Sequence, residues 1–216
     1  MIVYYAINRV MDRISSAHFE YTREFAEQYS NTSSAQEHEY FAGEFAKIYP
    51  TPTGTLIDLC CGPGGITKSI KNKFSNLKVV GCDKSKGMIE QATKNKNNVD
   101  FFLSDIFVLD RKFDYITCFH AYRHFDKQES FWNLIKRLSV AQTKVFIVDI
   151  LRPESDKLES IVDTIIGNDE NFRDSLKLAF SSAYTIEEII VPAGMKLLVQ
   201  DTPIPGFKLF FIHNEF

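Results

Sequence analysis

The sequence has 216 residues, a formal net charge of −3 at pH 7 and an isoelectric point near 6.0. A chain of this length folds around one substantial core, so we expect a single domain. The slightly acidic balance disfavours a nucleic-acid substrate, because it supplies no positive surface for a phosphate backbone. No apolar run approaches the roughly 20 residues that span a bilayer, and no signal-peptide cleavage pattern follows the N-terminus, which predicts a cytosolic protein without membrane partners.

The first 49 residues show no strong strand pattern. Aromatic residues recur at helical spacing on both sides of a polar break at 30–34, which predicts two helices. The turn at 50–54, with its two prolines and a glycine, separates them from the rest of the chain.

A strand, a glycine turn and a helix are predicted next. The apolar run Thr55–Leu59 indicates a buried strand, and an amphipathic run at 66–74 indicates a helix. A dinucleotide fingerprint would need a third glycine where this chain has Thr67. Asp58, near the carboxyl end of the strand, would repel a pyrophosphate but suits the ammonium and sulfonium groups of S-adenosylmethionine. The glycines that let a ligand approach the main chain are Gly62, Gly64 and Gly65.

Two further acids follow the next two predicted strands. The strand at 77–83 ends in Asp83, about twenty residues beyond the glycine turn, where a carboxylate accepts ribose hydroxyls. The strand at 99–103 is followed by Asp105, which we expect to hold an adenine amino group. Asp58, Asp83 and Asp105 are therefore predicted to bind the three ends of one donor molecule.

The remaining chain alternates between predicted helices and strands. Ser85 is the predicted N-cap of a helix, and Asp126 with Glu129 has the spacing of a capping box. Strands are predicted at 113–119 and 144–151, helices at 156–166, 172–181 and 185–190, and a final antiparallel hairpin at 195–200 and 207–213.

Five segments resemble the successive motifs of class I S-adenosylmethionine-dependent methyltransferases of the small-molecule type. They are DLCCGPGG, VVGCDKSKGMIEQA, VDFFLSDI, FDYITCFHAYRHF and VFIVDILRPES, and the resemblance runs from about Tyr49 to the C-terminus. Cys60 stands where the family usually has its first glycine, although quinone-type members have a similar Cys-Cys-Gly turn.

The resemblance implies an α/β fold with a Rossmann-like seven-stranded sheet of order 3-2-1-4-5-7-6. Its last strand would be antiparallel, with helices on both faces and an N-terminal helical cap. Residues 1–216 would form one methyltransferase domain, with the cap at 1–49, the donor-binding sheet domain at 50–216 and a helical insertion at 154–190.

The resemblance also implies S-adenosyl-L-methionine as donor and a small molecule as acceptor, methylated on nitrogen or oxygen by in-line displacement. Phe25 and Tyr29 of the cap would face the sulfonium, although packing against the sheet is the alternative. The full expected donor-binding set is Asp58, Cys60, Gly62, Gly64, Gly65, Asp83, Lys84, Met88, Ser104, Asp105, Ile106, Phe119, Phe25 and Tyr29. The expected acceptor-binding set is Tyr122, Arg123, His124 and Arg152.

His124 and His120 are the candidate catalytic bases if the acceptor must lose a proton. The alternative is that His124 only shapes the pocket. Arg123 and Arg152 are suited to bind a carboxylate on the acceptor, and the alternative is that both are solvated or pair with nearby acids.

Several other functions stay open at this level. An RNA methyltransferase and a non-catalytic S-adenosylmethionine-binding protein are compatible with the motifs, whereas a nicotinamide-dependent oxidoreductase needs the missing glycine. An NPPY-like tetrad after the fourth strand would indicate methylation of adenine or of a glutamine amide. This chain has Cys118–Ala121 at that position, so those substrates are disfavoured. Four cysteines lie near strand ends without CxxC spacing, so no metal site is predicted. The acceptor and the oligomeric state stay open.

Overall fold

The computed structural model describes residues 23–32, 35–94, 98–166, 173–181, 183–202 and 208–214. Helices α1 (Arg23–Thr32) and α2 (Ala35–Ile48) come first, one on each side of the polar break, as predicted. Both helices pack against later helices: α2 lies on α3 (Gly65–Lys73), and α1 lies on α4 (Lys86–Thr93). The cap is thus attached to the two helices that follow the first two strands.

Seven strands form one sheet in the order β3-β2-β1-β4-β5-β7-β6, which confirms the predicted topology. Strand β7 pairs antiparallel with both β5 and β6, while the pairs among β1 to β5 are parallel. The strands are β1 (Thr55–Leu59), β2 (Lys78–Asp83), β3 (Asp100–Leu103), β4 (Phe113–Phe119), β5 (Ser139–Ile150), β6 (Met195–Asp201) and β7 (Lys208–Asn214).

The remaining helices correspond to the predicted ones, with local differences. They are α5 (Gln128–Leu138), α6 (Leu158–Ile166) and α7 (Arg173–Ser181), with 3₁₀ turns at Ile106–Val108, Tyr122–His124 and Ile186–Glu188. The predicted capping box at Asp126 is wrong, because α5 begins after Lys127, which gives no side-chain cap. Ser85 does cap α4, since its hydroxyl accepts the Met88 amide at 3.2 Å. The predicted helix at 185–190 is only a 3₁₀ turn.

Hydrophobic residues on the two faces of the sheet enter two separate clusters. Leu56 packs with Phe41 of α2 and Ile70 of α3. Ile57, the next residue of β1, packs with Phe131 of α5 on the other face. Successive strand residues point to opposite faces, so both faces of the sheet are covered by helices.

Within the part of the chain that the structure describes, no helix is long and apolar enough to cross a membrane. The cytosolic location and the division into cap, sheet domain and insertion stay predictions.

Candidate functional site

The three predicted acids converge at the carboxyl ends of β1, β2 and β3. Burial, together with the nearby charges of Asp83, Asp105 and Asp58, raises the pKa of the Cys82 thiol to about 12. These carboxylates therefore lie around one thiol at the end of β2. The edge where they meet is the usual ligand-binding edge of an open α/β sheet.

Asp83 joins the glycine turn to the end of β2. Its Oδ2 accepts the Gly62 amide at 2.9 Å, and its Oδ1 accepts the Ser85 amide at 2.9 Å. Burial raises the pKa of the Asp83 carboxyl, against the lowering effect of these two amides. Each carboxylate oxygen has a second lone pair, so two hydroxyl groups can still bind.

Asp58 is also buried, and its partners are hydroxyl groups. Its Oδ2 accepts a hydrogen bond from Thr67 at 2.5 Å, and its Oδ1 accepts one from Thr117 at 2.8 Å. A buried carboxylate needs polar partners, and the two threonines provide them for Asp58 within the protein. A contact with a ligand ammonium stays a prediction.

Asp105 differs from the other two acids because it is exposed at the rim. Its Oδ1 accepts the Phe107 amide at 2.9 Å and begins the 3₁₀ turn there. Ser104 donates its amide to the Asp83 carbonyl at 3.0 Å, which ties the ends of β2 and β3 together. This edge of the sheet thus presents the accessible carboxylate of Asp105 near the buried carboxylate of Asp83.

The glycine turn bends tightly after β1. Cys60, which replaces the expected glycine, has φ of 57°, a left-handed conformation that non-glycine residues adopt at a cost. Gly64 follows with φ of 77°, and the aromatic edge of Phe101 would lie 2.5 Å from a Cβ there. Cys60 therefore adopts the left-handed conformation that a glycine would take without strain.

All four cysteines are reduced and poorly acidic. Burial raises the pKa of Cys60, Cys61 and Cys118 well above the ordinary range, so these thiols stay protonated near neutral pH. Protonated thiols are weak nucleophiles and poor metal ligands. Among the described residues, no group of three or more His, Cys, Asp or Glu side chains could hold a metal ion.

The cap reaches the glycine turn through Tyr29. A Cβ at Gly62 would lie 3.9 Å from Tyr29 Cε1, so the half-buried ring borders this part of the turn. Phe25 lies in α1, but its side chain is outside the described part of the structure. The predicted contact between either ring and a sulfonium stays a prediction.

His120 occupies the end of β4 in a strained conformation. Its φ is 57°, its amide donates to Val148 O at 2.8 Å, and its imidazole is almost fully buried. Glu37 of α2 lies opposite, with 3.6 Å between Oε1 and His120 Nε2, and it has no solvent exposure. The Phe41 ring packs edge-on against the imidazole at 4.7 Å. Non-glycine residues in this left-handed conformation cluster at functional sites, and His120 adopts it here with a cap carboxylate nearby.

The neighbouring residue on α2 contacts the other half of the site. The His38 ring lies so close to Gly65 that a Cβ there would approach His38 Cε1 to 2.0 Å. Glu37 and His38 thus join one turn of α2 to the β4 end and to the start of α3.

Two predicted acceptor-binding residues prove to be part of the core. Tyr122 is fully buried, and its hydroxyl donates to Gln128 Oε1 at 2.6 Å. Arg123 is 2% exposed, and its guanidinium pairs with the buried carboxylate of Asp149. The prediction that these two side chains line an acceptor rim is therefore wrong, because their polar ends are engaged inside the protein.

The other two predicted acceptor residues are more accessible. His124 is half-buried on the 3₁₀ turn after β4. Arg152 follows β5 and forms an ion pair with Glu188 at 3.4 Å rather than with Asp126 or Glu154. Their contacts with an acceptor stay predictions.

The remaining predicted donor-binding residues surround the acids. Lys84 is exposed beside Asp83, and Met88 and Ile106 are buried apolar side chains. Phe119 is buried beneath the cap, with its ring centroid 6.0 Å from that of Phe41.

Glu37, Thr117 and Asp149 were missed at the sequence level. Glu37 precedes Phe41 by four residues, so it falls on the apolar face of α2. An acid on the apolar face of a predicted helix was the sequence signal that could have identified Glu37. Thr117 and Asp149 lie within strands, where no local pattern distinguishes a buried polar partner.

Residues 56–141 match the family model described as "Methyltransferase domain". The demethylmenaquinone methyltransferase of Thermotoga maritima is 28% identical over 105 residues, which cover 47% of this chain and 46% of the relative. The trans-aconitate 2-methyltransferase of Variovorax paradoxus is 39% identical over 66 residues, 30% of this chain and 26% of the relative. The chain therefore matches less than half the length of these curated relatives.

The fold is also found in solved structures. The plantazolicin methyltransferase BamL, crystallised with a triazolic desmethylPZN analog and SAH, superposes with a TM-score of 0.69 at 17% identity. The alignment covers 99% of this chain and 98% of that one. At this level of identity, the comparison establishes a shared fold.

Proposed function

We propose that the protein transfers a methyl group from S-adenosylmethionine to a small-molecule acceptor. Residues 56–141 match the family model described as "Methyltransferase domain", and the sheet has the strand order expected for such an enzyme. The observation that carries the proposal is that Asp58, Asp83 and Asp105 lie at or just beyond the carboxyl ends of three neighbouring strands, with Asp83 bonded to the Gly62 amide of the glycine turn. These carboxylates suit the positive and hydroxyl-bearing groups of that donor.

The chemistry of the site fits this donor. Asp83 has lone pairs left for the two ribose hydroxyls, and the exposed Asp105 is accessible to an adenine amino group. Met88 and Ile106 supply apolar walls for a base. When bound, the donor supplies an electrophilic methyl group on a sulfonium.

The contribution of the chain is to hold the donor and to align the acceptor with its methyl group. Tyr29 and the glycine turn border the place where the methionine end would lie, and the half-buried aromatic ring can face a cation. Positioning an acceptor in line with a methyl group can supply about 7–11 kcal/mol of the barrier reduction. No covalent intermediate on the protein is needed.

Proton removal falls to a histidine at the end of β4 when the acceptor is protonated. His120 Nε2 lies 3.6 Å from Glu37 Oε1, so a protonated imidazole would have a buried carboxylate beside it. His124 is more accessible and four residues further along the chain. We assign the base to one of these two residues, and separate His120→Asn and His124→Asn variants distinguish them by pH profile.

The acceptor is a small molecule in this proposal. The acidic balance of the chain supports that choice, because it offers no broad basic surface for RNA. The related proteins named for demethylmenaquinone and trans-aconitate act on small molecules and support the same class. RNA methylation would instead predict salt-dependent RNA binding.

The first test measures donor binding by calorimetry with S-adenosylhomocysteine. We expect saturable binding by the wild type, a loss of about tenfold or more for Asp83→Asn, and no change for the exposed control Asp110→Asn. Absence of binding by the wild type would refute the donor assignment.

The second test incubates the protein with methyl-labelled donor and a metabolite extract, followed by mass spectrometry. A labelled product absent with Asp83→Asn supports catalysis. Tight donor binding with no labelled product from metabolites or RNA would favour a non-catalytic binding protein.

A further inference from the structure

A partly open polar cavity lies beside the glycine turn. It has a volume of about 420 Å³ and is lined by residues of α1, α2, α3 and the end of α4. Pro63 and Gly65 form the wall that it shares with the turn. Asp58, Asp83 and Asp105 do not line it, so it is separate from the acids assigned to the donor.

The polar side chains of this cavity are hydrogen-bond donors or positive groups. His38, Lys68, Gln91 and Lys94 line it, together with serine and asparagine side chains, and no Asp or Glu is among its described lining residues. Lys94 is partly neutralised by Glu27, 3.4 Å away at the exposed side. The charge balance of the lining therefore favours an anion.

Lys68 has a charge without a countercharge. Burial lowers the pKa of its ammonium group, because the charged form has lost part of its hydration. The ammonium lies 5.5 Å from the centroid of the Phe101 ring, and none of the described carboxylates pairs with it. An anion beside Lys68 would restore the lost favourable interaction.

Gln91 gives an independent indication that the cavity holds a ligand. Its side chain is 6% exposed, and its Nε2 has no hydrogen-bond partner among the residues that the structure describes. A buried amide without a partner is costly, and a ligand oxygen in the cavity would satisfy it. The amide lines the same cavity as Lys68.

The start of α3 adds to these groups. Gly64 is the N-cap and provides no side-chain hydrogen bond, so the first amides of this nine-residue helix depend on other acceptors. Gly65, the first of them, lines the cavity. Helix N-termini bind negative groups when other donors converge on them.

From these observations we infer that this cavity binds the phosphate or carboxylate group of a small metabolite. Lys68 and Gln91 are its principal ligands, and Lys94 and the α3 N-terminus provide further attraction. The inference does not depend on the methyl-transfer reaction. Its principal ligands, Lys68 and Gln91, are not assigned to the donor, although the cavity shares Gly65 with the expected donor-binding set.

The test titrates the whole chain with inorganic phosphate and, separately, with citrate at constant ionic strength. Nuclear magnetic resonance follows the Gln91 side-chain amide and the Gly65 backbone amide, and calorimetry gives the affinity. We expect saturable shifts of both amides, with a dissociation constant below about 10 mM for at least one of the two anions. The anion with the lower constant identifies the source of the bound group.

Two variants and one control complete the test. Lys68→Met and Gln91→Leu each weaken binding about tenfold or more, whereas Lys73→Met, an exposed change at the end of α3, leaves it unchanged. Thermal unfolding checks that each variant is folded. Shifts that never saturate, or equal affinity in all variants, would overturn the inference. So would competition by S-adenosylhomocysteine, because the cavity would then belong to the donor site.

Discussion

The buried pair between Arg123 and Asp149 allows a test of the corrected role of Arg123. Both side chains are within 2% of complete burial, and the same guanidinium also donates to His120 O at 2.8 Å. Removing one member leaves the other charge buried, which costs about 3–5 kcal/mol. We therefore predict that Arg123→Met lowers the free energy of unfolding by about that amount. For a chain of this size, each kcal/mol shifts Tm by about 2–4 °C.

The matched control is Arg152→Met. Arg152 is about one-third exposed and its ion pair with Glu188 is longer, so its loss costs less than about 1 kcal/mol. Urea unfolding followed by tryptophan fluorescence measures both variants, since Trp132 lies in the same core cluster as Tyr122. An acceptor-binding role for Arg123 would instead leave stability unchanged and raise KM.

A double variant separates the charge from the packing. Arg123→Met combined with Asp149→Leu removes both charges, so it should be less destabilised than the sum of the two single variants by about 1 kcal/mol or more. If Arg123→Met costs less than 1 kcal/mol, or if the two single losses simply add, the reasoning is refuted.

Three further predictions concern the turn and its neighbours. Cys60→Gly should raise the free energy of unfolding by about 1 kcal/mol in a urea titration, because glycine adopts φ of 57° without strain; an unchanged or lower value would contradict this. Gly65→Ala should lower it by about 1–3 kcal/mol through the clash with His38, and His38→Ala in the same chain should recover part of the loss. Donor affinity should fall with acidification at a higher pH than for an ordinary aspartate, because burial raises the pKa of Asp83 and protonation removes the accepting charge; calorimetry with Asp83→Asn should give a flat profile instead.

The sheet order was expected from the resemblance to class I methyltransferases, whereas most element positions followed from local sequence patterns. Apolar strands, the glycine turn and the late hairpin are local signals, because each is recognised from the residues of one short segment. The start of α5 was misassigned because Asp126 and Glu129 have capping-box spacing, yet the helix begins after Lys127. Sequence spacing alone cannot tell which of several adjacent residues leaves the helical conformation.

The site was only partly predictable for a different reason. The positions of Asp83 and Asp105 follow from strand ends, which are local features. Thr117, one of the two partners of Asp58, lies on a strand 59 residues away, and Asp149, the partner of Arg123, lies on a strand 26 residues away. No periodicity predicts such pairings. Glu37 was hidden similarly, because its partner is 83 residues away, at the end of β4.

One turn of α2, at Glu37 and His38, contacts both the end of β4 and the start of α3. Displacing that turn alters the support of the His120 imidazole and the packing over Gly65 at the same moment. A fluorophore attached at the exposed neighbour Gln36 would consequently respond to changes at both of these positions. Its fluorescence would then change when a ligand binds near His120 or near Gly65.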